Sequence, residues 1–437
     1  MEISKYVRTI EYKDNLFLYN TVNQMLIEIP KQVVNAEGRI VVDLDEETLS
    51  LLQENYFFVD TDLTIEKSLP NYIKNPKKLF ISVELNLSCN LCCPYCYQAG
   101  KHNGKTISDE TIVNLSLYVK KVYEESPFEE LYLKILGGEP TIVWSKFEKT
   151  FQSLFSLCKK IGVKLHLLID TNGVFVDKLL TLKGYDSLLL TIPLTYKKCH
   201  DKVRIDKNGN GSYDTILRNI YKIHQEKPET KIVLRYNVDG TNQKYFKLFL
   251  EDIKKNLNFN PLISVNYTAE FSEYYKSTIS YLDFIEWSST HAIDDLVMAN
   301  LPVTISPIVS IEECQFRSKY SLKLFSDGSV GSCAMSFFDK ERLSIKELLN
   351  EFDENKIFFE SKSKQSLLSD NICLKCKDIF LCGGTNKLPC IKALNPDMCK
   401  NKVFSINIEK FIKKYIEYSQ LGKNDLFVVF ENGEAYR

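Results

Sequence analysis

Cys89-Asn90-Leu91-Cys92-Cys93-Pro94-Tyr95-Cys96-Tyr97 is the stretch that decides how this chain reads. Cys89, Cys93 and Cys96 stand in the spacing Cys-x3-Cys-x2-Cys. Three thiolates on one tight loop can hold three corners of a cubane iron–sulfur cluster and leave its fourth iron open to a small molecule. Zinc loops instead pair cysteines two to four residues apart with a second, distant pair. Cys92 lies inside the run, but its spacing to Cys89 and Cys96 does not suit the loop.

Composition narrows the rest. At 437 residues the chain predicts two or three domains, and its 44% hydrophobic content is ample for a core. The net charge is −1 and the basic residues are scattered, so no nucleic-acid partner is expected. No apolar run approaches the ~18 residues of a membrane span. The start, MEISKYVRTIEYKDN, lacks the apolar segment of a secretion signal. A cytoplasmic protein rarely keeps disulfides, so the 13 cysteines call for metal binding. Seven of them crowd between Cys314 and Cys399, while Cys158 and Cys199 stand alone and read as core or surface residues.

From Lys78 the pattern alternates. Strands are predicted at Leu79–Leu85, Leu131–Leu136, Lys164–Ile169, Ser187–Ile192, Lys231–Val238 and Leu262–Tyr267. Helices fit between them, one capped by Ser108 with Ile112, Leu115, Val119 and Val122 on one face, another capped by Ser212 and running through Ile216 and Ile220. Six β–α repeats predict an α/β fold, a partial (β/α)6 TIM-like barrel with its chemistry at the carboxyl ends of the strands. The three cysteines follow the first of these strands. Ahead of the barrel, residues 1–75 predict a small α+β module, with strands at Tyr6–Tyr12, Leu16–Asn20 and Met25–Ile29 and a helix at Glu46–Glu54 capped by Asp45. The barrel is expected over 76–300, a cysteine-rich extension over 301–405 and a helical tail over 406–437.

Further motifs sit at the strand ends. Gly137-Gly138-Glu139-Pro140 follows the second strand, where glycines allow close backbone approach and backbone oxygens with a carboxylate can receive an ammonium group. Thr171-Asn172-Gly173 ends the third strand. The segment from His200 holds Asp206, Asn208, Asn210 and Gly211, which imitate the start of a calcium loop, but the twelfth position is Leu217 in place of a bidentate Glu, so calcium is rejected. C-terminally, Cys314 and Cys333 precede Cys373-x2-Cys376-x5-Cys382, then Cys390 and Cys399. Thiolates in this number suit iron–sulfur or zinc, and spacing does not choose between them.

Together these motifs resemble the radical S-adenosylmethionine (radical SAM) superfamily, and the C-terminal cysteines resemble the SPASM extension of its peptide maturases. The resemblance covers roughly residues 78–400. It implies that Cys89, Cys93 and Cys96 hold a [4Fe-4S] cluster, that Tyr95 contributes to the adenine pocket, and that Gly137, Gly138, Glu139 and Pro140 bind the methionyl amine of S-adenosylmethionine (SAM). It further implies that Asn172 lines the cosubstrate cleft and that Arg204 meets the cosubstrate carboxylate. Where the family has a Ser that touches the ribose, this chain has Ile192, Pro193, Leu194 and Thr195, which leaves ribose recognition unassigned, with Thr191 and Thr195 as candidate substitutes. Two auxiliary [4Fe-4S] clusters are implied, one on Cys314, Cys333 and Cys390, the other on Cys373, Cys376, Cys382 and Cys399. Seven residues, where the family usually has three, separate Cys382 from Cys390.

The function implied is reductive cleavage of SAM and hydrogen abstraction from a ribosomally made precursor peptide, ending in a thioether, carbon–carbon or ether crosslink. The partners implied are that peptide and a reducing electron donor such as flavodoxin or ferredoxin. The N-terminal module would grip a leader peptide by strand addition along Leu16–Ile29, or else cap the barrel. Two other readings are an anaerobic sulfatase-maturing enzyme and a zinc-binding protein without activity. The sulfatase-maturing branch places an Asp base directly after the second SPASM cysteine, and here that residue is Ala334. Asp327 and Asp339 are nearby acids in turn-like positions.

Overall fold

A computed structural model describes residues 1–60, 77–101, 103–268, 275–304, 319–339, 341–350, 352, 373, 375–382, 403–431 and 434–436. The chain divides into two compact units. One comprises Met1–Asn75 and Gln365–Asn424, the other Pro76–Ile305, Glu313–Lys364 and Asp425–Arg437.

In the first unit, β1 (Glu2–Ile3) pairs with β5 (Phe58–Val59), and β2 (Val7–Tyr12), β3 (Asn15–Asn20) and β4 (Leu26–Pro30) form an antiparallel meander. Asp45 caps the helix Glu46–Glu54 by accepting from the Thr48 amide at 2.8 Å. Leu52 of that helix packs with Val7, Leu16, Leu18, Ile29, Phe57 and Phe58. The register puts β3 between β2 and β4, so Leu16–Asn20 is a central strand, and of the stretch predicted as an edge only β4 lies at the sheet margin. Arg8, 7% exposed, pairs with Asp378 and donates to the Lys377 carbonyl at 3.0 Å. Tyr6 meets Phe380 edge to face at 5.0 Å. These contacts tie the segment that carries Cys373 and Cys376 to the N-terminal sheet.

In the second unit the apolar runs form β6 (Lys78–Glu84), β7 (Glu130–Leu136), β8 (Lys164–Asp170), β9 (Ser187–Pro193), β10 (Lys231–Val238) and β11 (Leu262–Tyr267). Each pairs in parallel with the next. The helices Asp109–Glu125, Trp144–Ile161, Tyr213–Glu226 and Phe246–Asn256 lie between successive strands. Ser108 Oγ accepts from the Thr111 amide at 3.0 Å, and Ile112, Leu115, Val119 and Val122 are each 1% exposed or less.

The sheet is wider than the six predicted strands. β12 (Leu322–Leu324) joins β6 in parallel and β13 (Val330–Gly331) joins β12 antiparallel, giving eight strands in the order β11-β10-β9-β8-β7-β6-β12-β13. A three-residue run, Leu322-Lys323-Leu324, is too short to read as a strand in isolation, but the open edge of β6 needs a hydrogen-bonding partner. The predicted Ser212 cap is also revised. Ser212 Oγ donates to the Arg204 carbonyl at 2.7 Å, and Asp201 caps the helix instead, accepting from the Tyr213 amide at 2.9 Å.

Strand register sorts the barrel into two faces, because alternate residues point to opposite sides. Ile81, Val83, Leu133, Ile135, Leu167, Ile169, Leu190, Ile192, Leu234 and Tyr236 share one face and are each 1% exposed or less, packed against the helices. The other face carries Ser82, Glu84, Lys134, Asp170, Thr191, Arg235, Asn237 and Lys323. The interior of this barrel therefore carries charged and polar side chains among apolar ones such as Phe80, Leu168 and Val233. Among the described residues no helix is long and apolar enough to cross a membrane.

Candidate active site

The cysteine loop leaves the carboxyl end of β6 and is held from below by the glycines that follow β7. Gly138 donates its amide to the Asn86 carbonyl at 2.9 Å, and Glu139 donates to the Ser88 carbonyl at 2.7 Å. A Cβ on Gly138 would stand 2.2 Å from the Ser88 oxygen, and one on Gly137 would stand 2.4 Å from Asn86 Oδ1. The close approach these glycines permit is thus to the segment leading into Cys89. Backbone atoms cannot step aside for a methyl group, so Gly138→Ala should lose about 2–3 kcal/mol of stability. It should also bind less iron on reconstitution. Thermal unfolding and iron per chain test this, and wild-type values for both would refute it.

Glu139 joins two strand ends. Its carboxylate is fully buried and accepts from the Thr141 amide at 3.1 Å, Thr141 Oγ1 at 2.6 Å, Thr171 Oγ1 at 2.9 Å and the Asn172 amide at 2.7 Å. It clamps the end of β7 to the end of β8. Asn172, so placed, donates through Nδ2 to Asn90 Oδ1 at 2.7 Å and approaches Cys89 Sγ at 3.8 Å.

The three sulfurs sit among N–H donors. The Leu91 amide points at Cys89 Sγ and the Gln98 amide at Cys96 Sγ, each at 3.4 Å. Arg204 Nη1 lies 3.8 Å from Cys93 Sγ and 3.1 Å from the Tyr95 hydroxyl. Burial pushes all three thiols up, Cys96 to about 11, so they stay protonated unless a cation joins them. A donor set of soft thiols with amides aimed at the sulfurs fits an iron–sulfur centre, whose iron supplies the missing positive charge. Among the described residues no three His, Cys, Asp or Glu side chains converge on a single ion. A mononuclear zinc gathers its ligands at ~2.0–2.3 Å, whereas a cubane takes one thiolate at each separate corner.

Arg204 is 4% exposed, and its Nε and Nη2 have no hydrogen-bond partner. A buried cation with unused donors fits an anionic ligand such as a carboxylate. Its position is set by the loop that mimics a calcium site. Asp206 Oδ1 accepts from the Asn208 and Asn210 amides at 2.8 Å, closing the loop on itself. The Ile205 carbonyl receives the Cys92 amide at 2.8 Å, which fastens this loop to the cysteine loop.

His200 supports the same corner. It is fully buried, Nδ1 accepts from the Thr195 amide at 3.3 Å and Nε2 faces Ser212 Oγ at 3.1 Å. Burial, and then the Arg204 charge, hold its pKa well below the usual histidine value. The unfolded chain therefore binds a proton below about pH 6.5 that the folded chain refuses, and stability falls with decreasing pH at a rate approaching about 1.4 kcal/mol per unit. Unfolding of the holoprotein at pH 7.5 and pH 5.5 should show that loss in wild type and a shallower one in His200→Gln. Equal slopes would refute it.

These parts enclose a cavity of about 370 Å³. Cys89, Cys93, Tyr95, Cys96, Gly137, Gly138, Asn172 and Arg204 all line it. Glu139 and Pro140 do not, being buried behind it. Thr191 lines the cavity, and Thr195 does not. Tyr97, Asp170, Arg235, Asn237 and Asn266 also line it, and the motif search missed them. The signal that could have found them is a polar residue at every second position near a strand's carboxyl end, as in Arg235 and Asn237.

Of the C-terminal cysteines, Cys333 is half-buried just after β13. Cys373 is buried and Cys376 half-buried, with the Cys376 amide on the Cys373 carbonyl at 3.0 Å and the Asp378 amide on Cys376 Sγ at 3.4 Å. That last contact repeats the arrangement at Cys89 and Cys96. Cys314, Cys390 and Cys399, and the side chain of Cys382, lie outside the described residues.

The sequence profile of the radical SAM superfamily matches residues 83–253. A curated relative, a cysteine-type anaerobic sulfatase-maturating enzyme of Clostridium novyi (strain NT), is 26% identical over 363 residues, covering 75% of this chain and 92% of its own. Among solved structures, anSMEcpe with bound AdoMet and the Cp18Cys peptide superposes with a TM-score of 0.55 at 20% identity, over 80% of this chain and 99% of that one. A tagged form of anSMEcpe with bound AdoMet gives 0.56 at the same identity and coverage. This chain is an enzyme that carries a radical SAM domain over residues 83–253, with the α/β fold of that superfamily.

Proposed function

We propose that this enzyme reductively cleaves SAM and installs a crosslink, through a thioether, carbon–carbon or ether bond, in a ribosomally made precursor peptide. The observation that carries the reading is one cavity shared by three thiols, a buried guanidinium with two unused nitrogens, and charged side chains of the barrel lumen. Cys89, Cys93 and Cys96 would hold the [4Fe-4S] cluster. Arg204 would hold the SAM carboxylate, the backbone at Gly137 and Gly138 its amine, Tyr95 the adenine and Thr191 the ribose. Once bound, cluster and cosubstrate together supply a 5′-deoxyadenosyl radical that removes a hydrogen atom from an unactivated carbon. The chain's own task is to orient the reactants and keep water out. Tyr95 and Arg204 close one wall, while Glu139 fixes the relative position of the β7 and β8 ends.

A peptide substrate is supported by the relative solved with one bound. The curated relative's name points to formylglycine formation, but Ala334 cannot serve as the base that this branch uses. Asp327 is occupied by Ser329 and by Arg342 at 3.1 Å. Two auxiliary clusters on the C-terminal cysteines, a leader site on the N-terminal module, cytoplasmic residence and reduction by flavodoxin or ferredoxin complete the reading. The test is anaerobic incubation of reconstituted enzyme with SAM, reductant and the short peptides encoded beside it. A peptide that loses two hydrogens per turnover supports the proposal. Production of 5′-deoxyadenosine with every peptide mass unchanged would reject the crosslink.

A further inference from the structure

Beyond the amino-terminal ends of the strands, the inner face of the barrel holds five charged side chains whose charges do not cancel. Glu84 on β6, Lys134 on β7, Asp170 on β8, Arg235 on β10 and Lys323 on β12 fall on the same face by strand register. Three are cations and two are carboxylates, so one positive charge is in excess. The two acids are already occupied. Lys134 Nζ sits 2.9 Å from Asp170 Oδ2, and Glu84 accepts from Gln98 Nε2 at 2.8 Å and Ser326 Oγ at 3.0 Å. Arg235 reaches Asp170 Oδ2 only through Nη2 at 3.7 Å, beyond hydrogen-bond distance. Lys323 is 1% exposed and its Nζ has no hydrogen-bond partner.

Of the cations in this group, Arg235 is the one on the cavity wall. Arg204 shares the cavity but turns to Tyr95 and Cys93. An anion entering the cavity balances this surplus of positive charge, and a guanidinium with unused donors matches a carboxylate two hydrogen bonds at a time. Beside it, Asp170 Oδ1 is buried without a partner and can accept one N–H. A carboxylate together with a neighbouring N–H is the chemistry of an acidic residue within a peptide.

We propose that Arg235 anchors a carboxylate of the substrate, so that the enzyme selects a peptide carrying an Asp or Glu side chain next to the residue it modifies. The assignment rests on the reading of the substrate as a peptide. It is tested by affinity selection from a randomised short-peptide library with blocked C-termini, using immobilised, anaerobically reconstituted enzyme loaded with SAM. Asp or Glu should be enriched at one position by about tenfold or more over Asn or Gln. Arg235→Gln should erase the preference and Arg235→Lys retain part of it, with thermal unfolding reporting that both variants fold. Should Arg235→Gln fail to fold, the wild-type selection and the lysine variant still decide. Enriched sequences without an acidic position would overturn the carboxylate anchor and leave the peptide reading standing. An acidic preference that survives in Arg235→Gln would overturn the role of Arg235. No enrichment of any kind would overturn both readings.

Discussion

Anaerobically reconstituted Cys93→Ala protein should form no measurable 5′-deoxyadenosine, a fall of more than about a thousandfold, or over about 4 kcal/mol of barrier. The three sulfurs of the loop share one cavity wall, and each is poised by a neighbouring donor: an amide for Cys89 and Cys96, the Arg204 guanidinium for Cys93. Removing one leaves a cubane with two open irons and an Arg204 facing an empty site. Cys92 is the control. It is adjacent in sequence but exposed, and it takes part in the loop through its backbone amide on Ile205. Cys92→Ala should therefore keep wild-type iron content and turnover. Iron analysis and product chromatography on the two variants decide the matter, and equal losses in both would refute the three-ligand assignment.

Arg204→Leu should weaken SAM binding by about a hundredfold, as expected for losing charge-assisted hydrogen bonds worth roughly 1.5–3 kcal/mol. The guanidinium is buried, one nitrogen holds Tyr95, and Nε and Nη2 remain for a ligand. Arg204→Lys should not restore affinity, because an ammonium is a point charge and cannot present the same two donors while also reaching Tyr95. Equilibrium binding of SAM to the holoenzyme measures both variants. An affinity within about twofold of wild type in Arg204→Leu would remove Arg204 from the cosubstrate site.

How far the sequence reached depends on the range of the signal. The Cys-x3-Cys-x2-Cys loop, the glycine pair after β7 and the six strands are local patterns, each readable within about ten residues. The helix cap at Ser108 followed from the same local rule, whereas Ser212 did not. Its hydroxyl was claimed by the Arg204 carbonyl, and Asp201, twelve residues before Tyr213, took the cap. Glu139 was legible as part of a motif but not as a clamp, since its partners Thr171 and Asn172 belong to the next β–α unit. β12 was illegible because Leu322-Lys323-Leu324 is too short a run to acquire strand character except beside the free edge of β6.

The sequence by itself determined the chemistry, because a cluster-binding loop is defined by ligand spacing along a few consecutive residues. It also determined the barrel, because alternating strand and helix periods leave a parallel sheet as the way to bury their apolar faces. Only the tertiary structure decided what the interior of that barrel offers a substrate. Glu84, Lys134, Asp170, Arg235 and Lys323 come from five strands spread over some 240 residues. They meet because strand register points them inward, and no local rule carries the sum of their charges.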